Sequence, residues 1–225
     1  MKFEFAARLS DSPFVDSIWR TRSEGGGYFT SLAESRWGIV VTRQQDRTYL
    51  TVRGPETKAM PAPIPEDAEF FGISFKLGTF MPHLPARILV DGETNLPHAS
   101  SKSFYLHGGS WQFPDYENAD TFVARLVREG LLMRDDLVDA VLQGQPQELT
   151  IRSVRRRFIR ATGLTHGAVF QIERARRALA LLEQGNSILD TVEQAGYFDQ
   201  PHLTRALKHF VGQTPAQIAR SHNIP

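Results

Sequence analysis

Arg152, Arg155, Arg156 and Arg160 crowd into nine consecutive positions, and a second polar set, Gln200, His202, Thr204 and Arg205, occupies six. Neither set is equipped for covalent chemistry. A guanidinium can hold guanine O6 and N7 through two parallel hydrogen bonds, and a carboxamide can hold adenine N6 and N7 in the same way. Arginines this dense repel one another unless something anionic lies opposite. The chemistry on offer is therefore recognition of phosphate and base edges, with a solvated basic face as the plain alternative.

Other reactive constellations are missing from the sequence. His83, His98 and His107 stand alone, without the H-x-H pair and following carboxylate that would aim ligands from one strand at one ion. Gly108–Gly109–Ser110–Trp111 lacks the G-x-S-x-G elbow that exposes a nucleophilic serine. The triplet Gly25–Gly27 is a turn and not a phosphate-binding G-x-x-x-x-G-K-[ST] loop. No catalytic residue, metal site or cofactor is expected. Zero cysteines exclude disulfides and thiolate metal sites and fit a reducing compartment.

Helices must carry the two polar sets. Asp136–Gln143 reads as one helix, with Leu137, Val138, Val141 and Leu142 on one side, ended at Gly144–Pro146. Thr150 is a good N-cap and Gly163 a good C-cap for Ile151–Ala161, in which Val154 and Phe158 turn inward and leave the four arginines to face outward or flank the stripe. A longer helix runs from about Gly167 to Gln184, its core face built from Val169, Ile172, Ala175, Ala178, Leu179 and Leu182. Ser187 caps Ile188–Ala195, and Asp199 or Gln200 opens Pro201–Phe210, where Leu203, Leu207 and Phe210 form the inward stripe. Thr214 and Pro215 start a last short helix. This spacing describes two helix-turn-helix units separated by a spacer helix, an arrangement in which the second helix of each unit enters the major groove.

Upstream the pattern changes to strands and turns. Trp37–Thr42, Arg47–Val52, Glu69–Phe75 and Arg87–Val90 read as strands between Gly- and Pro-rich punctuation, and Met60–Asp67, with three prolines, reads as a loop or edge. A β-sandwich or barrel is expected. Trp37, Phe70, Phe71, Phe75 and Phe80 could line an apolar effector pocket or simply form its core. A helix after Asn118, with Phe122, Val123, Leu126 and Val127 at helical spacing before Gly130, either packs on that barrel or forms a dimer seam.

Charge divides along the same line. The chain has 26 Lys and Arg against 25 Asp and Glu; residues 1–120 hold 12 bases against 15 acids, and residues from Thr150 onward hold 11 against 5. An acidic front half and an arginine-rich back half suit a sensor joined to a nucleic-acid reader. No stretch approaches the roughly 20 apolar residues of a membrane span, and the N-terminus lacks a continuous apolar signal region. A cytoplasmic location is the expectation.

Three runs carry a resemblance: S-V-R-R-R-F-I-R-A-T-G at Ser153–Gly163, R-A-R-R-A-L-A-L-L at Arg174–Leu182, and A-G-Y-F-D-Q-P-H-L-T-R-A-L-K-H-F-V-G-Q-T-P-A-Q-I at Ala195–Ile218. Together they resemble the DNA-binding domain of the AraC/XylS family of bacterial transcription regulators. That resemblance implies double-stranded DNA as a partner, read by Arg152, Arg155 and Arg156 in the first unit and by Gln200 and Arg205 in the second, with His202 and Thr204 near backbone or bases. Pro201 stands where some relatives carry a polar reader, and Gln145–Leu149 replaces the usual small-residue turn. Tyr197, Phe198, Phe210 and Ile218 read as core.

The front half, through Trp37–Val40, Val52–Thr57, Phe71–Pro82 and 122–134, resembles the family's cupin-like sensor domains. The fold class that follows is α+β: a cupin-like β-barrel or sandwich and then an all-α domain with two helix-turn-helix units joined by a linker helix. The expected domains are a sensor or dimerisation domain over 1–117, a connecting helix over 118–130 and the DNA-binding domain over 131–225. A small effector would be held by Trp37, Phe71, Phe75 and Phe80; RNA polymerase and a second copy of the chain are the other implied partners. The competing expectation is a cupin-like small-molecule-binding protein or enzyme whose helical domain mediates protein interaction.

Overall fold

The computed structural model describes residues 4–222. Its strands are β1 (Glu4–Arg8), β2 (Val15–Arg22), β3 (Gly27–Ser31), β4 (Gly38–Gln44), β5 (Arg47–Arg53), β6 (Met60–Ile64), β7 (Ala68–Phe75), β8 (Thr79–Phe80), β9 (Glu93–Asn95), β10 (His98–Ser100), β11 (Ser103–Leu106), β12 (Gly109–Gln112) and β13 (Met133–Arg134). The helices are α1 (Ala119–Arg128), α2 (Leu137–Leu142), α3 (Ile151–Thr162), α4 (His166–Glu183), α5 (Ile188–Gln194), α6 (Gln200–Phe210) and α7 (Pro215–His222). A strand-rich N-terminal region thus precedes a helical C-terminal region, as the change of hydrophobic period predicts.

Two compact units form. One takes the chain up to Gly27, Arg36–Pro55 and Pro63–His166; the other takes Tyr28–Ser35, Glu56–Ala62 and the chain from Gly167 onward.

In the first unit an antiparallel sheet has the order β1-β2-β7-β4-β5-β9. Its register sets Ile18 against Ile73, Ile73 against Ile39, and Ile39 against Val52, so alternate residues of four strands share one face. All four are buried, and each contributes roughly 1.5–3 kcal/mol by leaving water. Phe104, Leu106 and Trp111 of the β10-β11-β12 sheet join this core. Ala119, Phe122, Val123 and Leu126 of α1 join it as well, so α1 packs on its own strands. The guanidinium of Arg125 lies 4.0 Å from the centroid of the Trp111 ring.

Two short segments depart from the sequence expectation or refine it. Arg87–Val90 makes no strand; Ala86–Ile88 is a 3-10 turn, closed by hydrogen bonds from Ile88 N–H to Pro85 O and from Leu89 N–H to Ala86 O. Pro85 fixes its own φ at the entry, and the turn buries Ala86 and Leu89 while exposing Ile88, which a four-residue strand could not do. Met60–Ile64 does pair, as β6 with β3, in a two-stranded ribbon where its prolines need no second neighbour.

The first unit also contains α2 and α3. Thr150 Oγ1 accepts the Ser153 N–H at 3.3 Å and caps α3, worth about 1 kcal/mol. Gly163 ends α3 with φ +78°, and a Cβ there would stand 3.0 Å from the Ala86 carbonyl carbon. In the second unit α4, α5, α6 and α7 enclose Ala178, Leu182, Ala195, Tyr197, Leu203, Leu207, Val211 and Ile218.

Candidate nucleic-acid interface

The arginines of α3 separate into two groups. Phe158 is buried, Ala161 and Thr162 with it, and Val154 is half-buried, so this stripe seats the helix. Arg152, Arg155 and Arg156 are exposed, and none has an ion-pair partner among the described residues. Arg157 turns the other way, onto the buried carboxylate of Asp135: its Nε lies 3.0 Å from Oδ2 and its Nη2 2.5 Å from Oδ1. Arg160 adds a longer contact of 3.4 Å to Oδ2 and places its guanidinium 5.4 Å from the Phe80 ring centroid. Burial opposes ionisation of Asp135. The hydrogen bonds from Arg157 and the Leu137 amide, with the charges of Arg157 and Arg160, outweigh it and hold the carboxyl below its usual range.

The second polar set is arranged by α6. Asp199 accepts the His202 N–H at 2.7 Å, and Pro201 supplies a first-turn φ at the cost of no needed donor. Leu203, Ala206 and Leu207 are buried, which leaves Gln200 and Arg205 exposed and His202 and Thr204 half-buried. His202 is committed on one side: its Nε2 lies 3.4 Å from Arg174 Nη2, and its ring meets Tyr197 edge-on at 5.1 Å. Arg174, on α4, also donates to Gln171 Oε1 at 2.6 Å and to Gly196 O at 3.3 Å, and stands 4.2 Å from the Tyr197 ring centroid. One arginine thereby joins α4 to the turn between α5 and α6. Tyr197 and Ile218 are buried and Phe210 half-buried, but Phe198 is 90% exposed, against the expectation that it is core. In the tight turn after Gly196 consecutive side chains diverge, and Tyr197 takes the inward place.

Arg157, Asp135 and Arg174 escape sequence reasoning. Nothing in R-R-R distinguishes the third arginine except its helical phase relative to Phe158, and Asp135 lies 22 residues away.

The aromatics proposed for an effector stand in different surroundings. Trp37 stacks on Phe75 at 4.3 Å and donates its indole N–H to Thr79 O at 2.6 Å; both rings lie in the core. Phe80 is buried beside Arg160. Phe71 does floor a cleft of about 730 Å³ at the end of the sheet, walled by Arg20, Arg22, Arg43, Glu69 and Tyr116. His83 and His107, isolated in sequence, come together at 4.7 Å between ring centroids. Burial first, and then the neighbouring His107, lower the His83 pKa. No group of three or more His, Cys, Asp or Glu among the described residues could hold a metal, and no described helix is long and apolar enough to cross a membrane.

Comparison with known proteins matches a family described as a helix-turn-helix domain to residues 148–221. The match begins in the connection between α2 and α3. An Escherichia coli (strain K12) protein named as the uncharacterized HTH-type transcriptional regulator YidL is 35% identical over 69 residues, covering 30% of this chain and 23% of that protein. The chain therefore spans under a quarter of that relative. No solved structure matches. Residues 148–221, with the exposed arginines of α3 and the capped, polar N-terminal half of α6, are a helix-turn-helix domain of the AraC type.

Proposed function

We propose that the chain is a non-enzymatic, sequence-specific, double-stranded DNA-binding transcription regulator of AraC type. In this reading α2 with α3 and α5 with α6 are two helix-turn-helix units joined by α4. The helices α3 and α6 each enter the major groove and read bases through Arg152, Arg155 and Arg156 in the first unit and Gln200 and Arg205 in the second. Thr204 and His202 flank the contact, His202 oriented by Arg174. The domains are 1–117, 118–130 and 131–225, the first of them cupin-like. The observation that carries the reading is the division of the α3 arginines. Arg157 is paired with the buried Asp135 and Arg160 reaches the same carboxylate at 3.4 Å, whereas Arg152, Arg155 and Arg156 are exposed with no ion-pair partner among the described residues, inside the matched helix-turn-helix domain. Unpaired guanidiniums held on one helix face call for an anionic surface.

A small effector bound in the N-terminal domain is the proposed control. The cleft floored by Phe71 is its best-supported site, since it combines apolar residues with charged groups of both signs, Arg20, Arg22 and Arg43 together with Glu69, Asp115 and Glu117 in the same lining. RNA polymerase and a second copy of the chain are the partners that the family resemblance implies, and a cytoplasmic location is the reading drawn from the sequence. The test is selection of preferred sites from random duplexes, followed by binding of Arg156→Ala and Arg205→Ala to the recovered site. Each variant is expected to weaken binding by about 1–3 kcal/mol and to relax preference at its own base pairs. Identical consensus and affinity for both variants contradict the proposal.

A further inference from the structure

The last carbonyls of a helix have no partner within it. In α6 two of them are taken by amides from far upstream: Ala33 N–H donates to Phe210 O at 2.8 Å and Ala59 N–H to His209 O at 2.9 Å. The two donor segments are themselves tied together, Glu34 and Glu56 exchanging backbone hydrogen bonds of 2.9 and 2.8 Å. The same ribbon holds α4. Arg176 Nη1 lies 3.1 Å from Glu34 Oε2 and donates to Ala33 O at 3.2 Å, and the Ser35 hydroxyl donates to the Glu173 carboxylate. Ala33 and Ser35 are buried, and Leu32 packs against the core that contains Leu203 and Leu207. Where the chain leaves α6, Gly212 has φ +80°, and a Cβ there would stand 3.0 Å from Thr30 Cγ2 and 3.4 Å from Ala59 Cβ. The close approach thus depends on both ribbon segments.

We propose that Tyr28–Ser35 with Glu56–Ala62 is a positioning element for base reading by α6. By bonding the C-terminal carbonyls of α6 and the side chains of α4 at once, the ribbon fixes the angle between the two helices. It does so from the end of α6 opposite Gln200, and Gln200 and Arg205 are left exposed. Base preference in the second half of the binding site then depends on residues in the first third of the sequence that do not touch DNA. This inference rests on α6 being a reading helix, as proposed above.

The test uses the full-length chain and the duplex recovered by selection, with affinity measured for every single-base-pair variant of that duplex. Ala59→Pro and Ala33→Pro each delete one amide donor; Ala59→Ser keeps it; Arg205→Ala marks the base pairs read by α6. Each proline is expected to lower affinity about 2- to 10-fold, the worth of one net hydrogen bond, and to flatten preference at the base pairs marked by Arg205→Ala. Preference at those marked by Arg156→Ala, and the behaviour of Ala59→Ser, should match the parent. Arg176→Gln, which cuts the Glu34 contact from a partly exposed side chain, should show the same profile in milder form and decides the matter where a proline prevents folding. A folded variant with the parent profile, or with an even loss across all base pairs, overturns the ribbon's role while Arg205→Ala still weakens binding. A silent Arg205→Ala overturns the reading by α6 and the ribbon's role with it.

Discussion

Arg157 lays its guanidinium along the buried carboxylate of Asp135 with two hydrogen bonds, whereas Arg156, its immediate neighbour on α3, is exposed and has no ion-pair partner among the described residues. Adjacent identical residues therefore have separate jobs, one seating the helix and one available to a partner. Arg157→Ala is expected to lower stability by about 1.5–3 kcal/mol, the range for a hydrogen bond to a charged group. Arg156→Ala should stay within about 0.5 kcal/mol of the parent. Urea unfolding of both variants checks this; equal midpoints would contradict the division.

The lowered pKa of Asp135 has a definite sign in stability. Its folded value lies below the unfolded reference of about 3.9, so the unfolded chain binds the proton more readily. The stabilisation is complete above that reference and is lost as pH falls from about 4 through the folded value. Asp135→Asn should flatten this acid limb of the stability profile. An unchanged slope between pH 5 and the acid transition in about that window would show that Asp135 is not its source.

Two apolar residues of the second unit should also behave differently. Phe198 is exposed, and Phe198→Ser is expected to change stability by no more than about 0.5 kcal/mol. Leu203 is fully buried, and Leu203→Ala should cost about 2–5 kcal/mol. Thermal melts of the two variants decide it, and a large loss for Phe198→Ser would restore that residue to the core.

The N-terminal cap of α6 is the next point of control. Asp199→Ala should destabilise by about 1 kcal/mol and Asp199→Asn by far less, because both carboxylate and carboxamide can accept the His202 N–H. Equal losses for the two would place the effect of Asp199 elsewhere.

Much of this architecture is legible in local sequence because its signals are local. The caps at Thr150, Ser187 and Asp199 and the stop at Gly163 lie within a few residues of the helices they bound, and α3, α5 and α6 begin and end within a residue or so of the expected positions. What sequence reading lacks is non-local. The Asp135 pair spans 22 residues and the Arg176 to Ala33 bond spans 143, and no periodicity encodes such separations. The same reason accounts for the effector aromatics: Trp37 and Phe75 are apolar residues at alternating strand positions whether they line a pocket or fill a core, and only the fold shows that they stack in the core. Arg87–Val90 reads as a strand by composition and becomes a turn because Leu89 and Ala86 must be buried together.

The most direct measurement of the central claim is equilibrium binding of the full-length chain to its selected duplex across a salt series, compared with Arg152→Ala, Arg155→Ala and Arg156→Ala in combination. Expected are a linear fall of log K with log salt, a slope of about −0.9 for each phosphate neutralised, and a weaker, less selective triple variant whose melting temperature is unchanged. Binding that is insensitive to salt, or a triple variant that retains parental affinity and base preference, would contradict it.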